Sequence, residues 1–84
     1  MSWTVLWQPV AEDGLTNLYL NAMDKAAITS AANRIDALLR KDPFAVGESR
    51  ENHRRIHFES PLGVICRVHP KDQVVLVLRV WQFS

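Results

Sequence analysis

The chain has 84 residues, 48% of them hydrophobic and 23% charged, with a formal net charge of +1. That length fits one domain, residues 1–84, with a modest core, and a charge so near zero does not by itself point to nucleic acid. A single cysteine excludes an internal disulfide framework, and no apolar run approaches the roughly 20 residues that a membrane span needs.

The opening residues Met1–Trp7 carry no basic segment, so no signal peptide is expected and the cytoplasm is the expected compartment. Trp3 to Gln8 alternates, with Trp3, Val5 and Trp7 on one parity, and reads as a strand with its tryptophans in packing roles. Pro9 ends it and can open a helix, because its missing N–H is not needed in a first turn. Ala11, Leu15, Leu18 and Ala22 follow at helical spacing, with Glu12 and Asp13 where the helix dipole favours anions. Asp24 caps a second helix with a clean apolar stripe of Ile28, Ala31, Ala32, Ile35, Leu38 and Leu39. Arg40 and Lys41 suit its C-terminus, and Asp42-Pro43 stops it. The short connection makes the two helices a hairpin.

Residues 42–53 read as a polar loop, and three short strands follow. Ser60-Pro61-Leu62-Gly63 and His69-Pro70-Lys71-Asp72 are the turns between them, each read with proline at its second position. The order is β-α-α-β-β-β, an α+β fold with the helical hairpin packed on one face of an antiparallel sheet. Period-2 alternation then predicts the two faces. Ile56 and Phe58, Val64, Cys66 and Val68, and Val74, Leu76, Leu78 and Val80 are expected on the covered face. Arg55, His57, Arg67, His69, Arg79 and Trp81 are expected on the wet one. Cys66 on the apolar parity reads as a small buried hydrophobe.

Charge is shared unevenly along the chain. Residues 1–42 carry four basic and five acidic groups, whereas residues 43–84 carry six and four, with all three histidines. A wet face of arginines, imidazoles and an indole suits phosphate and RNA. RNA cleavage by ribose attack needs a base, an acid and phosphate stabilisation. His57 and His69 are the expected base and acid, and Arg55, Arg67 and Arg79 are the expected phosphate clamp. Arg50, Arg54, His69 and Trp81 are the expected further contacts to RNA or another target. The bland alternative is a solvated sheet face whose arginines pair with Glu59. His53-x-x-x-His57 has irregularly spaced partners only, so no metal site and no cofactor is expected.

The chain resembles the RelE/ParE superfamily, the toxins of type II toxin–antitoxin modules. The likeness spans nearly its whole length. It rests on size, on the β-α-α-β-β-β order, and on a string of cues: Trp3-Thr4-Val5-Leu6-Trp7 running into Pro9-x-Ala11-x-x-x-Leu15; Ala32-x-x-Ile35-x-x-x-Leu39; Asp42-Pro43-x-x-x-Gly47; Arg54-Arg55-Ile56; and Pro61-Leu62-x-Val64-Ile65 before a valine-rich last strand. The resemblance implies a cognate antitoxin as partner. It also implies one of two targets: mRNA on the ribosome, cut by RelE-like members, or DNA gyrase, blocked by ParE-like members. A catalytically silent relative that only pairs with its antitoxin is a third outcome. Where RelE-like nucleases carry a motif like Arg-Leu-Val-Tyr, this chain has Gly63-Val64-Ile65-Cys66; where some end in a basic residue and a tyrosine, it has Trp81-Gln82-Phe83. The basic residue of the second predicted strand is kept, as Arg54 or Arg55.

Overall fold

The helices form where the sequence spacing places them. The computed structural model describes residues 2–84. Strand β1 (Thr4–Trp7) leads into α1 (Pro9–Asn21) with proline in its first turn. Helix α2 (Lys25–Lys41) starts at Asp24, whose carboxylate accepts the Ala27 N–H at 3.0 Å. Its stripe is buried: Ile28, Ala31, Ile35 and Leu39 are at most 2% exposed, while Leu38 flanks the stripe and stays exposed. Asp42 closes the helix and caps a 3-10 turn, Pro43–Ala45.

The remaining strands are β2 (Glu48–Ser49), β3 (Arg54–Glu59), β4 (Leu62–His69) and β5 (Val74–Gln82). They form one sheet in the order β1-β5-β4-β3-β2. β1 lies parallel to β5, and every other neighbour is antiparallel. The helical hairpin covers one face, so the α+β architecture holds, with β2 as an addition inside the stretch read as loop. Val5, Leu62, Val64, Cys66, Val75 and Val77 meet the α2 stripe and Ala11 in the core. Burial pushes the Cys66 thiol pKa up, in keeping with a packing role.

The two turns differ from expectation by one position. The Ser60–Pro61 bond is cis, and β4 already begins at Leu62. Pro61 is thus the second of two linking residues rather than the first. At the next turn Gln73 N–H donates to Pro70 O, so Pro70 is the first residue of that turn.

The strand parities need a larger correction. In an antiparallel pair, residues directly opposite share a face. Arg55 lies opposite Cys66, His57 opposite Val64 and Glu59 opposite Leu62. Arg55 and His57 therefore point to the helix-covered side, and Ile56 and Phe58 to the open side. Two local features account for this. Gly47 has φ +64, and a Cβ there would sit 2.0 Å from the Ile56 carbonyl oxygen. The loop can thus cross tightly over β3, and Arg55 seals it by donating from Nε to Val46 O at 2.8 Å and from Nη2 to Gly47 O at 3.2 Å. Further along, α2 reaches the strand through a polar contact: Arg34 Nε donates to Glu59 Oε2 at 2.9 Å, and the His57 ring meets Glu59 Oε1 at 3.0 Å. The covered side of β3 is therefore covered by polar groups. A second departure lies in β5, where an irregularity opposite Ile65 and Cys66 leaves Leu78 without a partner. Val75 and Val77 are core, whereas Val74, Leu76 and Leu78 are not. Beyond the irregularity Val80 returns to the covered side, as expected.

Two predictions follow from these contacts. Gly47→Ala meets both backbone oxygen and an unfavourable φ, so it should lower unfolding free energy by about 2 kcal/mol or more in urea titration. The Glu59 carboxyl is held below its usual pKa, first by the His57 ring and then by Arg34. A depressed carboxylate stabilises the fold above the ordinary glutamate pKa, about 4.3, and that stability is lost as pH falls below it. Urea midpoints measured from pH 7 to pH 3 should fall less steeply for Glu59→Gln than for the parent chain.

Candidate functional site

Reversal of β3 changes which residues meet on the open face. Arg54 is directly opposite Arg67, Ile56 opposite Ile65, Ile65 opposite Arg79, and Gly63 opposite Trp81. Arg54, Arg67, Arg79 and Trp81 thus share the face that the helices leave uncovered, with His69 at its end opposite Val74. Of the residues expected on this face, Arg67, Arg79, Trp81 and His69 are there. Arg55 and His57 are not: both are half-buried on the other side, in the contacts just described. Arg54 takes the place expected of Arg55. Arg50 lies outside the face, in the β2–β3 connection, where its guanidinium meets Glu48 at 3.2 Å and Ser49 O at 2.9 Å.

The three arginines are electrostatically unusual. Like charges directly opposite on a sheet are unfavourable, yet Arg54 faces Arg67. None of the ion pairs among the described residues involves Arg54, Arg67 or Arg79. Glu59, which the bland alternative offered as their partner, is engaged by Arg34 and His57 instead. The guanidiniums are exposed, and apart from one bond from Arg79 Nη1 to Leu78 O at 3.2 Å their forked donors are left for an external group.

A groove of about 370 Å³ runs beside them, lined by Gln8, Val10, Arg54, Ile65, Leu78 and Arg79. Gln8 and Val10 flank Pro9 at the start of α1, where nothing in the sequence pattern marks them as neighbours of the open face. Gln8 is the N-cap residue of α1 but makes no side-chain cap bond. Leu78, unpartnered in the ladder, supplies apolar lining together with Val10 and Ile65.

An aromatic cluster adjoins this region. Trp81 packs edge-to-face on Phe58 at 5.9 Å between ring centroids, and Phe58 on Phe83 at 5.1 Å. Gly63 makes this possible, because a Cβ there would lie 2.6 Å from the Trp81 ring. The indole lies across the glycine to reach Phe58 on β3. Phe58 and Phe83 remain 51% and 47% exposed, so the cluster has free aromatic surface for stacking. The face therefore offers three fixed cations and a stacking platform, suited to holding phosphate and base. Of the two imidazoles expected as base and acid, His57 lies behind the sheet and His69 stands at the end of the open face. No group of three His, Cys, Asp or Glu side chains among the described residues is placed to hold a metal, and no helix is long and apolar enough to cross a membrane.

Comparison with known proteins places the fold. No family model matches the sequence, and no curated protein matches it closely. Among solved structures, the chain is similar to one in the toxin–antitoxin complex RelBE2 from Mycobacterium tuberculosis, with TM-score 0.79 and 18% identity over 98% of this chain and 99% of that one. It is also similar to a chain of the chromosomal ParDE toxin–antitoxin system from P. aeruginosa, with TM-score 0.69 and 16% identity over 98% and 97%. The two helices against a largely antiparallel five-stranded sheet are thus a fold that this chain shares with both of those chains over 98% of its length.

Proposed function

We propose that this chain is the toxin of a type II toxin–antitoxin module and that the open sheet face is where it engages its target. The observation that carries this reading is the cluster of Arg54, Arg67 and Arg79, exposed together without a carboxylate partner on a fold shared with toxin–antitoxin chains. A sheet that sets like charges opposite one another gains nothing in stability from them, and a polyanionic target supplies the missing counter-charge. The aromatic cluster beside Arg79 adds stacking, so the target class is single-stranded RNA, and mRNA on the ribosome is the RelE-type reading. The antitoxin is the second partner. Leu20, Phe44 and Phe83 stay exposed at 64%, 51% and 47%, and a protein that covers them in the complex accounts for apolar surface of this kind.

One observation favours the ParE-type reading, in which the chain blocks gyrase by binding alone. His57 is engaged by Glu59 on the covered side, so the imidazole expected at the centre of the arginine clamp is not there to serve cleavage as acid or base. The two readings share the binding face and differ in what fails first in the cell, translation or DNA supercoiling.

Growth arrest on induction without antitoxin is the test. Arg54→Ala, Arg67→Ala and Arg79→Ala should each relieve arrest, with target affinity reduced on the order of tenfold. Unfolding free energy should stay within the small range usual for surface changes, about 0.5 kcal/mol. Arg55→Ala should behave oppositely and lower stability by about 1–3 kcal/mol, since it leaves the Val46 and Gly47 carbonyls unpaired. Normal growth with soluble parent protein present would contradict the toxin reading.

A further inference from the structure

We propose that the tip of the β2–β3 hairpin forms a second anion site, beyond the Arg54–Arg79 groove, that takes a phosphoryl group between His53, Arg67, His69 and Lys71. The proposal rests on the toxin reading only for the source of that group, the backbone of an RNA strand held on the open face.

The first observation is a backbone at odds with its sequence. Asn52 and His53 have φ of 60° and 61°. They are the central pair of a two-residue turn, in which Arg54 N–H donates to Glu51 O at 3.2 Å and Arg50 N–H to Arg54 O at 2.7 Å. Positive φ at both central positions favours Asn followed by Gly. Asn52 conforms. His53 does not: its Cβ is strained where glycine would be free. The His53 carbonyl accepts the Val68 N–H at 2.9 Å, which pins the tip against β4. That bond is made by backbone and needs no imidazole.

The second observation is what the ring does instead. The exposed His53 forms one wall of a hollow of about 390 Å³, with Arg67, His69 and Lys71 among its other walls. Two fixed cations and two imidazoles there face one carboxylate, Asp72. Neither Arg67 nor Lys71 takes part in an ion pair among the described residues. The His69 ring belongs to the same hollow, and its Nε2 atom is buried behind that wall without a hydrogen-bond partner. Arg67 of this hollow stands directly opposite Arg54, which walls the groove shared with Arg79. The two hollows thus adjoin across one cross-strand arginine pair.

Inorganic pyrophosphate titrated into 15N-labelled protein tests the site itself, and a fluorescent octauridylate tests the source. Pyrophosphate should move the imidazole signals of both His53 and His69, and Arg67→Gln should weaken it about 3–10-fold. His53→Gly should raise Tm by a few degrees, on the order of 4 °C, and yet weaken pyrophosphate about 3–10-fold. Opposite signs in one variant separate a functional imidazole from a packing one. Imidazole signals unmoved by pyrophosphate, or a His53→Gly chain that binds it as tightly as the parent, would overturn the proposal. Octauridylate should bind the parent chain and lose affinity in His53→Gly and in Arg79→Ala. Failure of octauridylate with pyrophosphate still bound would instead bring down the RNA reading of the open face and leave the hairpin site as one for a small phosphate.

Discussion

The pairing of β3 with β4 governs everything that follows on this sheet. A slip of one residue in a strand exchanges its two faces, and β3 carries alternating arginine, isoleucine, histidine and phenylalanine. Its register is held from outside the strand. Gly47 lets the preceding loop cross at a distance no side chain allows, and Arg55 ties that loop down through two carbonyls. At the other end Glu59 is held by Arg34 of α2 and by its own neighbour His57. With both ends fixed, Ile56 and Phe58 have only the open face left to them.

From that register the open face acquires its character. Arg54 is brought opposite Arg67, and Phe58 comes within reach of Trp81 across the bare backbone of Gly63. The irregularity in β5 turns Leu78 and Arg79 toward the groove beside α1. Each of these choices works against the isolated chain: like charges are opposed, aromatic rings are left half in water, and a strand is interrupted. Local rules broken together in one region mark a surface shaped by something other than stability, and the strained His53 at the adjoining hairpin belongs to the same pattern.

Much of the fold was legible in the sequence because it rests on burial with a strong period. The α2 stripe, the Asp24 cap, the β1 parity and the buried Cys66 all follow from side chains that meet an apolar core. The faces of β3 were not legible, because hydrophobic alternation reports the core side only where the core is apolar. Beneath β3 the covering groups are loop carbonyls and a carboxylate, so arginine and histidine face inward and the pattern inverts. The β5 irregularity and the two-residue β2 leave no compositional mark at all. As a result, Arg67, Arg79, Trp81 and His69 could be placed from alternation, whereas Arg55 and His57 could not, and Gln8 and Val10 entered only once the packing of α1 was known. The Asn52-His53 pair did carry a mark, since Asn at the first turn position calls for glycine at the second; it went unread because the whole segment looked like solvated loop.

The most direct measurement is saturation substitution of β3, β4 and β5, with each variant scored for growth arrest and for soluble yield. Positions essential for arrest but dispensable for yield should gather at 54, 67, 79 and 81, while 55 and 57 are lost in yield first. Essential, yield-neutral positions at 55 and 57, with 54, 67 and 79 freely replaceable, would contradict it.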